Sequence, residues 1–238
     1  MTYQIGYSNK SRLRDAAMDA FVAMGVIIPN DRDRLFWNAV TPSSALAFNA
    51  VSQRPGDIMM EVMRGDLVAG IVGRDQMAEF NLRQGDALME IAELPGAQCW
   101  IKTGGEAAYF SDSGPALQAL DGKRIAAPRA CEQLIRQLFA KAGVTPRKFL
   151  FRDGAVEGTV PRGLADAIVD LVETGGTMRA NNLVPGDILF ESEAVLIARR
   201  DVAGYIGDYA RAQPGVADKA EFVQMLTGRL QGARLQAA

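Results

Sequence analysis

The sequence predicts an α/β fold with a largely parallel sheet. Three observations carry that reading. Short apolar runs recur along the chain, separated by stretches with helical periodicity. One run, Ala165–Val172, is apolar almost throughout, as expected of a strand covered on both faces. The composition, 48% hydrophobic and 23% charged over 238 residues, gives ample core for one large or two small domains.

The elements follow in order. Tyr3–Tyr7 is short and apolar-rich, a strand, and Ser8–Arg12 is a polar loop. Ser11 is an N-cap candidate for a helix through about Met24, with Gly25 as its stop. Leu13, Ala16, Ala17, Ala20, Phe21 and Met24 recur there at helical spacing, so one face is buried. Strand-like pieces return at Ala45–Val51, Leu67–Val72 and Gln98–Lys102, with helical pieces at Ile58–Arg64 and Gln76–Asn81 between them. Gly104–Gly114 has no period and reads as a loop. Lys123–Ala127 and Lys148–Arg152 read as strands around a helix, Cys131–Ala142, that Gly143 ends. Asp218–Leu235 carries Phe222, Met225, Leu226, Leu230 and Leu235 and reads as an amphipathic terminal helix.

Composition also excludes chemistry. The chain has no histidine, so it has no Ser-His-Asp or Cys-His nucleophile system and no imidazole-bound metal. Its two cysteines, Cys99 and Cys131, are too few for a disulfide scaffold or a four-thiolate metal site. They read as buried, inert thiols. A net charge of −2 lacks the global field of a nonspecific nucleic-acid binder. No apolar run is long enough to span a bilayer, and Met1–Gly6 has no basic start leading into an apolar core. The expectation is a cytoplasmic protein with neither nucleic acid nor membrane as partner. A periplasmic solute-binding protein is disfavoured on the same ground.

The stretch Gly163–Leu183 carries the most chemistry. It reads as a buried strand, then the loop Glu173-Thr174-Gly175-Gly176-Thr177, then a helix starting at Met178. Glycines let a backbone turn tightly and bring its N–H groups to a ligand. Free N–H groups at a helix start favour an anion, and two threonine hydroxyls add donors, so the loop is suited to phosphate. Asp166 and Asp170, four apart on a strand, share a face. Asp170, near the strand's C-terminal end, is placed for sugar hydroxyls or a magnesium ion.

The run Asp153–Leu183, DGAVEGTVPRGLADAIVDLVETGGTMRANNL, resembles the signature region of the ATP phosphoribosyltransferase family, the first enzyme of histidine biosynthesis. That family's pattern is approximately G-[SA]-V-E followed by G-L-A-D-A-I-x-D-[LV]-V-x-[TS]-G-x-T-L. Gly154–Glu157 and Gly163–Met178 supply it. Asn9–Leu13 resembles the K-G-R-L loop, Arg54–Ile58 the R-P-x-D-I motif, and Gly70–Asp75 the G-I-x-G-x-D motif. Gly122–Ala126 resembles G-x-R-I-A-T, Ser192–Ala198 the returning strand, and Arg229–Gln236 the helix that closes the catalytic core.

The resemblance implies a two-lobed core of the periplasmic-binding-protein type (type II), with its active site in the interlobe cleft. Residues 1–94 with 184–205 would form a discontinuous first lobe, 95–183 a second lobe carrying the loop for phosphoribosyl pyrophosphate (PRPP), and 206–238 a helical tail. No C-terminal regulatory domain is expected, as in the short catalytic form that pairs with a histidyl-tRNA-synthetase-like regulatory subunit. A homo-oligomer, a dimer or higher, is implied as well. The implied reaction condenses ATP with PRPP to N1-(5-phosphoribosyl)-ATP and pyrophosphate, with Mg2+ present.

The roles implied for single residues are these. Glu173, Thr174, Gly175, Gly176 and Thr177 hold PRPP, the last four at its 5-phosphate. Asp170 contacts the ribose hydroxyls, or else caps the following helix. Glu157 is a second ribose or magnesium candidate, or else a solvated loop acid. Lys10 and Arg12, with Asp170 the implied catalytic residues, bind pyrophosphate or triphosphate, Arg12 within the ATP site, or else are surface charge at a helix start. Arg34 lies in the ATP site, or else is a surface arginine. Arg74 and Asp75 read as a structural pair. The chain departs from the family at Ala127–Cys131, where Thr and a Tyr-Pro pair are usual, and at Val68, where Asp is usual. Ala127 is expected at a strand end facing the cleft, where a lost hydroxyl alters substrate contacts. Three alternatives follow: a paralogue making the same intermediate in a pentostatin- or coformycin-type nucleoside pathway, a non-catalytic nucleotide-binding module, or another phosphoribosyl or nucleotide transferase sharing the loop.

Overall fold

The computed structural model describes residues 2–9, 11–26, 36–40, 47–208, 211, 213 and 215–237. In chain order its elements are β1 (Tyr3–Ser8), α1 (Ser11–Ala23), β2 (Phe36–Val40), β3 (Ala47–Gln53), α2 (Pro55–Arg64), β4 (Ala69–Gly73), α3 (Arg74–Gln84), β5 (Leu88–Glu106), α4 (Ala107–Phe110), β6 (Arg124–Pro128), α5 (Glu132–Lys141), β7 (Lys148–Arg152), β8 (Ala167–Val172), α6 (Gly176–Ala180), β9 (Leu183–Arg199), α7 (Arg200–Gly204) and α8 (Val216–Ala237). The chain divides into two compact units. One is Met1–Ala97 with Glu193–Ala238; the other is Gln98–Ser192. The sequence placed the two crossings near Leu94 and Leu183. The units divide inside β5 and β9, strands of 19 and 17 residues that each contribute to both.

In the first unit β1 lies between β3 and β4 and is parallel to both. β2 is antiparallel to β3, and the C-terminal part of β9 is antiparallel to β4, with Gly70 opposite Ile197. The periodicity of α1 does what it predicts: Leu13, Ala16, Ala17, Ala20, Phe21 and Met24 are all buried against Ile5, Tyr7 and Phe48. The terminal helix belongs to the same core. Phe222 and Leu226 of α8 join it, and the Phe222 ring lies 4.6 Å from that of Tyr3. Burying one such Phe is worth roughly 1.5–3 kcal/mol. Val68, where the family has an acid, is buried in this core.

In the second unit the strand order is β5-β8-β6-β7. β6 is parallel to β7 and β8, and β5 is antiparallel to β8. One face packs Ala126, Ile168, Val172 and Leu150 against Val156 and Met178. The other carries Phe149 and Phe151, with Phe139 of α5 5.2 Å from Phe149.

Three expectations need correction. The sheet is mixed rather than largely parallel, because the two long returning strands, β5 and β9, run against their neighbours. Gly104–Gly114 is not a featureless loop: β5 continues to Glu106 and α4 makes one turn after it. Arg74 does not serve Asp75. Its guanidinium lies 2.8 Å from Glu90 and 2.6 Å from Glu93, while Asp75 is buried. Both cysteines are buried and neither is in a disulfide, in line with the expected burial. Among the described residues, no helix is long and apolar enough to cross a membrane.

Candidate active site

The site grows from the C-terminal ends of the parallel strands β6, β7 and β8, where open α/β sheets bind ligands. β8 ends at Val172 and the chain enters Glu173–Thr177. Gly175 adopts φ +72°, a left-handed conformation that a side chain disfavours, and it reverses the chain there. The turn is braced from behind. The Arg179 guanidinium donates to the Thr174 carbonyl at 2.6 Å, and Asn181 Nδ2 donates to the Thr177 carbonyl at 2.9 Å. The hydroxyls of Thr174 and Thr177 stand on exposed residues. The helix that follows begins at Gly176, not Met178, and is only five residues long. A single turn carries little macrodipole, so the donors for an anion are the loop's own N–H groups and hydroxyls.

A cavity of about 240 Å³ opens beside this loop. Glu157, Asp170, Glu173, Thr174, Gly175 and Thr177 all line it, so six of the residues named from the sequence meet in one place. Gly176 lies in the turn itself, its N–H donating to Thr174 Oγ1 at 3.4 Å. Glu157 arrives from the short turn Glu157–Thr159, 13 positions before Asp170 in the chain.

Asp170 is the electrostatic centre. Burial pushes its carboxyl up to about 6, and the charge of Glu157 pushes in the same direction. A hydrogen bond from the Leu171 N–H at 2.8 Å works the other way. The N-cap of α6 is Gly175, so Asp170 does not cap that helix.

Asp166 does not join it. β8 begins at Ala167, and Asp166 turns back to accept from the Arg124 N–H at 2.7 Å and its guanidinium at 2.6 Å. That pair holds the Asp166 carboxyl below its usual value. Asp166 and Arg124 line a different cavity, at the opposite end of β6 and β8. Ala127 is fully buried in β6 and lines neither the cavity beside the loop nor the one next to it, so it is a packing residue rather than a wall of the site, whereas Pro128 and Ala130 of the same segment do line the second cavity. Arg12 lies in the first turn of α1 in the other unit, where its guanidinium donates to the Ala97 carbonyl. Lys10 and Arg34 lie outside the described residues.

The comparisons decide the family. Residues 54–211 match the family model HisG, ATP phosphoribosyltransferase. An ATP phosphoribosyltransferase of Arthrobacter sp. (strain FB24) is 34% identical over 235 residues, covering 96% of this chain and 72% of that protein. The chain belongs to the ATP phosphoribosyltransferase family. It is therefore an enzyme of the phosphoribosyl-transferring class, and the matched span contains the whole assembly from Glu157 to Thr177.

The fold agrees. A chain of the ATP phosphoribosyl transferase (HisG:HisZ) complex from Thermotoga maritima superposes with a TM-score of 0.64 at 19% identity, over 97% of this chain and 100% of that one. A histidine kinase sensor domain with similarity to periplasmic binding proteins superposes at 0.50 with 13% identity, over 99% and 95%. The ATP phosphoribosyltransferase fold here is thus the two-lobed periplasmic-binding-protein type. Sequence reasoning missed Arg179, whose only sequence signal is a basic residue five positions after Thr174.

Proposed function

We propose that this ATP phosphoribosyltransferase condenses ATP with PRPP to N1-(5-phosphoribosyl)-ATP and pyrophosphate, the first step of histidine biosynthesis. The observation that carries this is the single cavity shared by the Thr174–Thr177 loop and two carboxylates, Asp170 and Glu157. A loop of N–H and hydroxyl donors suits a 5-phosphate, and an adjacent acceptor pair suits the ribose diol. In the reaction the adenine N1 lone pair forms the bond to ribose C1, and the C1–O bond breaks with its electrons leaving on pyrophosphate. The positive charge gained by the ring is relieved by loss of an amino proton. N1 is already nucleophilic, so a chain without histidine supplies what is needed: positioning, and charge stabilisation of a leaving polyanion.

Magnesium fits the same residues. Among the described residues no group of three or more acidic, cysteine or histidine side chains is placed to hold a metal by itself. Mg2+ commonly uses only one or two protein carboxylates together with substrate phosphates. Glu157 and Asp170 are such a pair, and the ion would neutralise charge on the departing pyrophosphate. Lys10 and Arg12 are proposed for the polyphosphate groups and Arg34 for the ATP site. The reading extends to a cytoplasmic enzyme that assembles as a homo-oligomer. It also extends to a histidyl-tRNA-synthetase-like regulatory subunit, supported by the Thermotoga complex of two named components.

The test is pyrophosphate release from ATP plus PRPP with Mg2+, alone and with a candidate regulatory subunit, with the nucleotide product identified by mass. Absence of product under both conditions, with PRPP still bound, would leave a binding module instead. Within this reading, Thr177→Ala removes one phosphate donor from an exposed position and leaves the turn at Gly175 intact. Its expected effect is a roughly 10-fold rise in the PRPP KM with an unchanged melting temperature. An unchanged KM would move the phosphate elsewhere.

A further inference from the structure

A second cavity, of about 320 Å³, adjoins the first and shares Glu157 and Asp170 with it. Its other walls are the end of β6 at Pro128, the loop Asp153–Val156, and Arg152 at the end of β7. Among the described residues, Arg152 is the one cation lining either cavity. Its Nε is buried and has no hydrogen-bond partner. A buried donor left unmet loses its hydration with nothing in return, so its retention needs a reason. The neighbouring acid does not supply one: Asp153 faces the Arg129 guanidinium at 3.3 Å. The loop between them holds Ala155 at φ +49°, a conformation non-glycine residues adopt at a cost and one that gathers at functional sites.

The sheet register fixes the spacing. Arg152 is the partner of Pro128, and Ala126 is the partner of Ile168. Carried two residues further, that register sets Asp170, Pro128 and Arg152 in one row across β8, β6 and β7. Leu150 and Ile168 pack in one cluster, so side chains two positions on, Arg152 and Asp170, rise from the same face. Two strand spacings separate their backbones by about 9–10 Å. Along this line the protein offers a donor loop, then two carboxylates, then a half-buried arginine whose Nε is unpartnered. PRPP presents the complement in the same order: a phosphate, a ribose diol, a pyrophosphate.

We infer that Arg152 is a further substrate-contacting residue, holding the pyrophosphate arm of PRPP in the second cavity and receiving it as the C1–O bond breaks. The assignment rests on the phosphoribosyl reading and deepens it. Guanidinium is the side chain best matched to such a group, because it donates in a planar fork and stays charged. It also divides the labour: Arg152 serves the leaving group from within its own unit, while Lys10 and Arg12 are left for the triphosphate.

The test is calorimetry on the full chain with Mg2+, using PRPP, inorganic pyrophosphate and ribose 5-phosphate as separate probes. Arg152→Leu should weaken PRPP and pyrophosphate by about 10- to 100-fold and leave ribose 5-phosphate within about two-fold. Arg152→Lys should restore part of the loss. Arg136→Gln, which removes the same charge from a side chain stacked on Phe149 and Phe151, should change none of the three. Wild-type-like pyrophosphate and PRPP affinities in Arg152→Leu overturn the inference. So does an equal loss for all three probes, which marks a merely structural role. If the wild-type chain binds none of the three, the phosphoribosyl reading falls and this inference with it. If it binds and turns over PRPP while Arg152→Leu is unaffected, only the inference falls.

Discussion

Replacing Asp170 by Asn should nearly abolish turnover while making the protein more stable. Both effects come from one fact, a carboxyl raised from 3.8 to about 6 chiefly by burial. The sign follows from proton linkage. Between about pH 4 and 6 the folded state holds a proton on Asp170 that the unfolded chain has already released. Stability from this group is therefore fully present below the unfolded value and lost as pH rises through about 6. At neutral pH the folded chain carries an ionised, largely buried acid at a cost of roughly 3 kcal/mol. Asn keeps the acceptor that meets the Leu171 N–H and cannot ionise. The variant should gain about 1–3 kcal/mol at pH 7, or roughly 3–10 °C in Tm, and the gain should vanish near pH 4. Its kcat/KM for PRPP should fall by about 100- to 1,000-fold, because the ribose and the cation lose their charged partner. Melting scans at pH 4 and 7, with kinetics at pH 8, check both halves. Wild-type activity would take Asp170 out of the reaction; a lowered Tm at pH 7 would mean its charge is stabilising.

Glu157 gives this a second handle. Its charge is part of what raises Asp170. Glu157→Gln should therefore shift the acid limb of the kcat/KM profile for PRPP below pH 6 while lowering its plateau. A limb that stays in place would mean Glu157 does not act on Asp170.

Much of the site was legible in the sequence because its residues are close in the chain. Strand, turn and helix start follow one another from Ala167 to Ala180, so local pattern was enough to place Asp170 beside the Thr174–Thr177 loop. Glu157 could be read only through the family motif, since nothing local says that its turn folds back onto β8. Asp166 shows the limit of strand periodicity. Four residues before Asp170 it belongs on the same face, but β8 has not yet begun there and Arg124 takes it. Arg74 shows the limit of adjacency: its acids, Glu90 and Glu93, sit on a strand that the sequence resolved only from Gln98 onward. β5 was hidden because its first half alternates poorly and contains Pro95 and Gly96, features of a loop. Arg152 was invisible for a different reason. One more arginine at a strand end carries no signal until the register sets it in the row of Asp170.

Gly186→Ala should unfold or severely loosen the Gln98–Ser192 unit, an effect no reading of the sequence suggests. A Cβ at Gly186 would stand 2.2 Å from the Pro115 carbonyl oxygen, 2.5 Å from Thr103 Oγ1 and 2.8 Å from the Pro115 nitrogen. Two of these three neighbours are backbone, which cannot swing aside as a side-chain end can. The same carbonyl accepts the Thr103 hydroxyl, and Asp187 next door accepts from the Leu117 N–H at 2.8 Å, so the segment Pro115–Leu117 is fastened to β5 at one end and to β9 at the other. Relieving the overlap means breaking those bonds. The expected loss is about 3 kcal/mol or more, the range of overpacking combined with buried hydrogen-bond loss. Gly228 supplies the contrast. It lies exposed within α8, where an added Cβ would meet nothing within 4 Å, and Gly228→Ala should gain about 0.5–1 kcal/mol through helix propensity. The two substitutions are the same letters in the sequence and should move chemical denaturation midpoints in opposite directions. A Gly186→Ala protein with a wild-type midpoint would mean that β9 and Pro115 do not approach as closely as this structure has them.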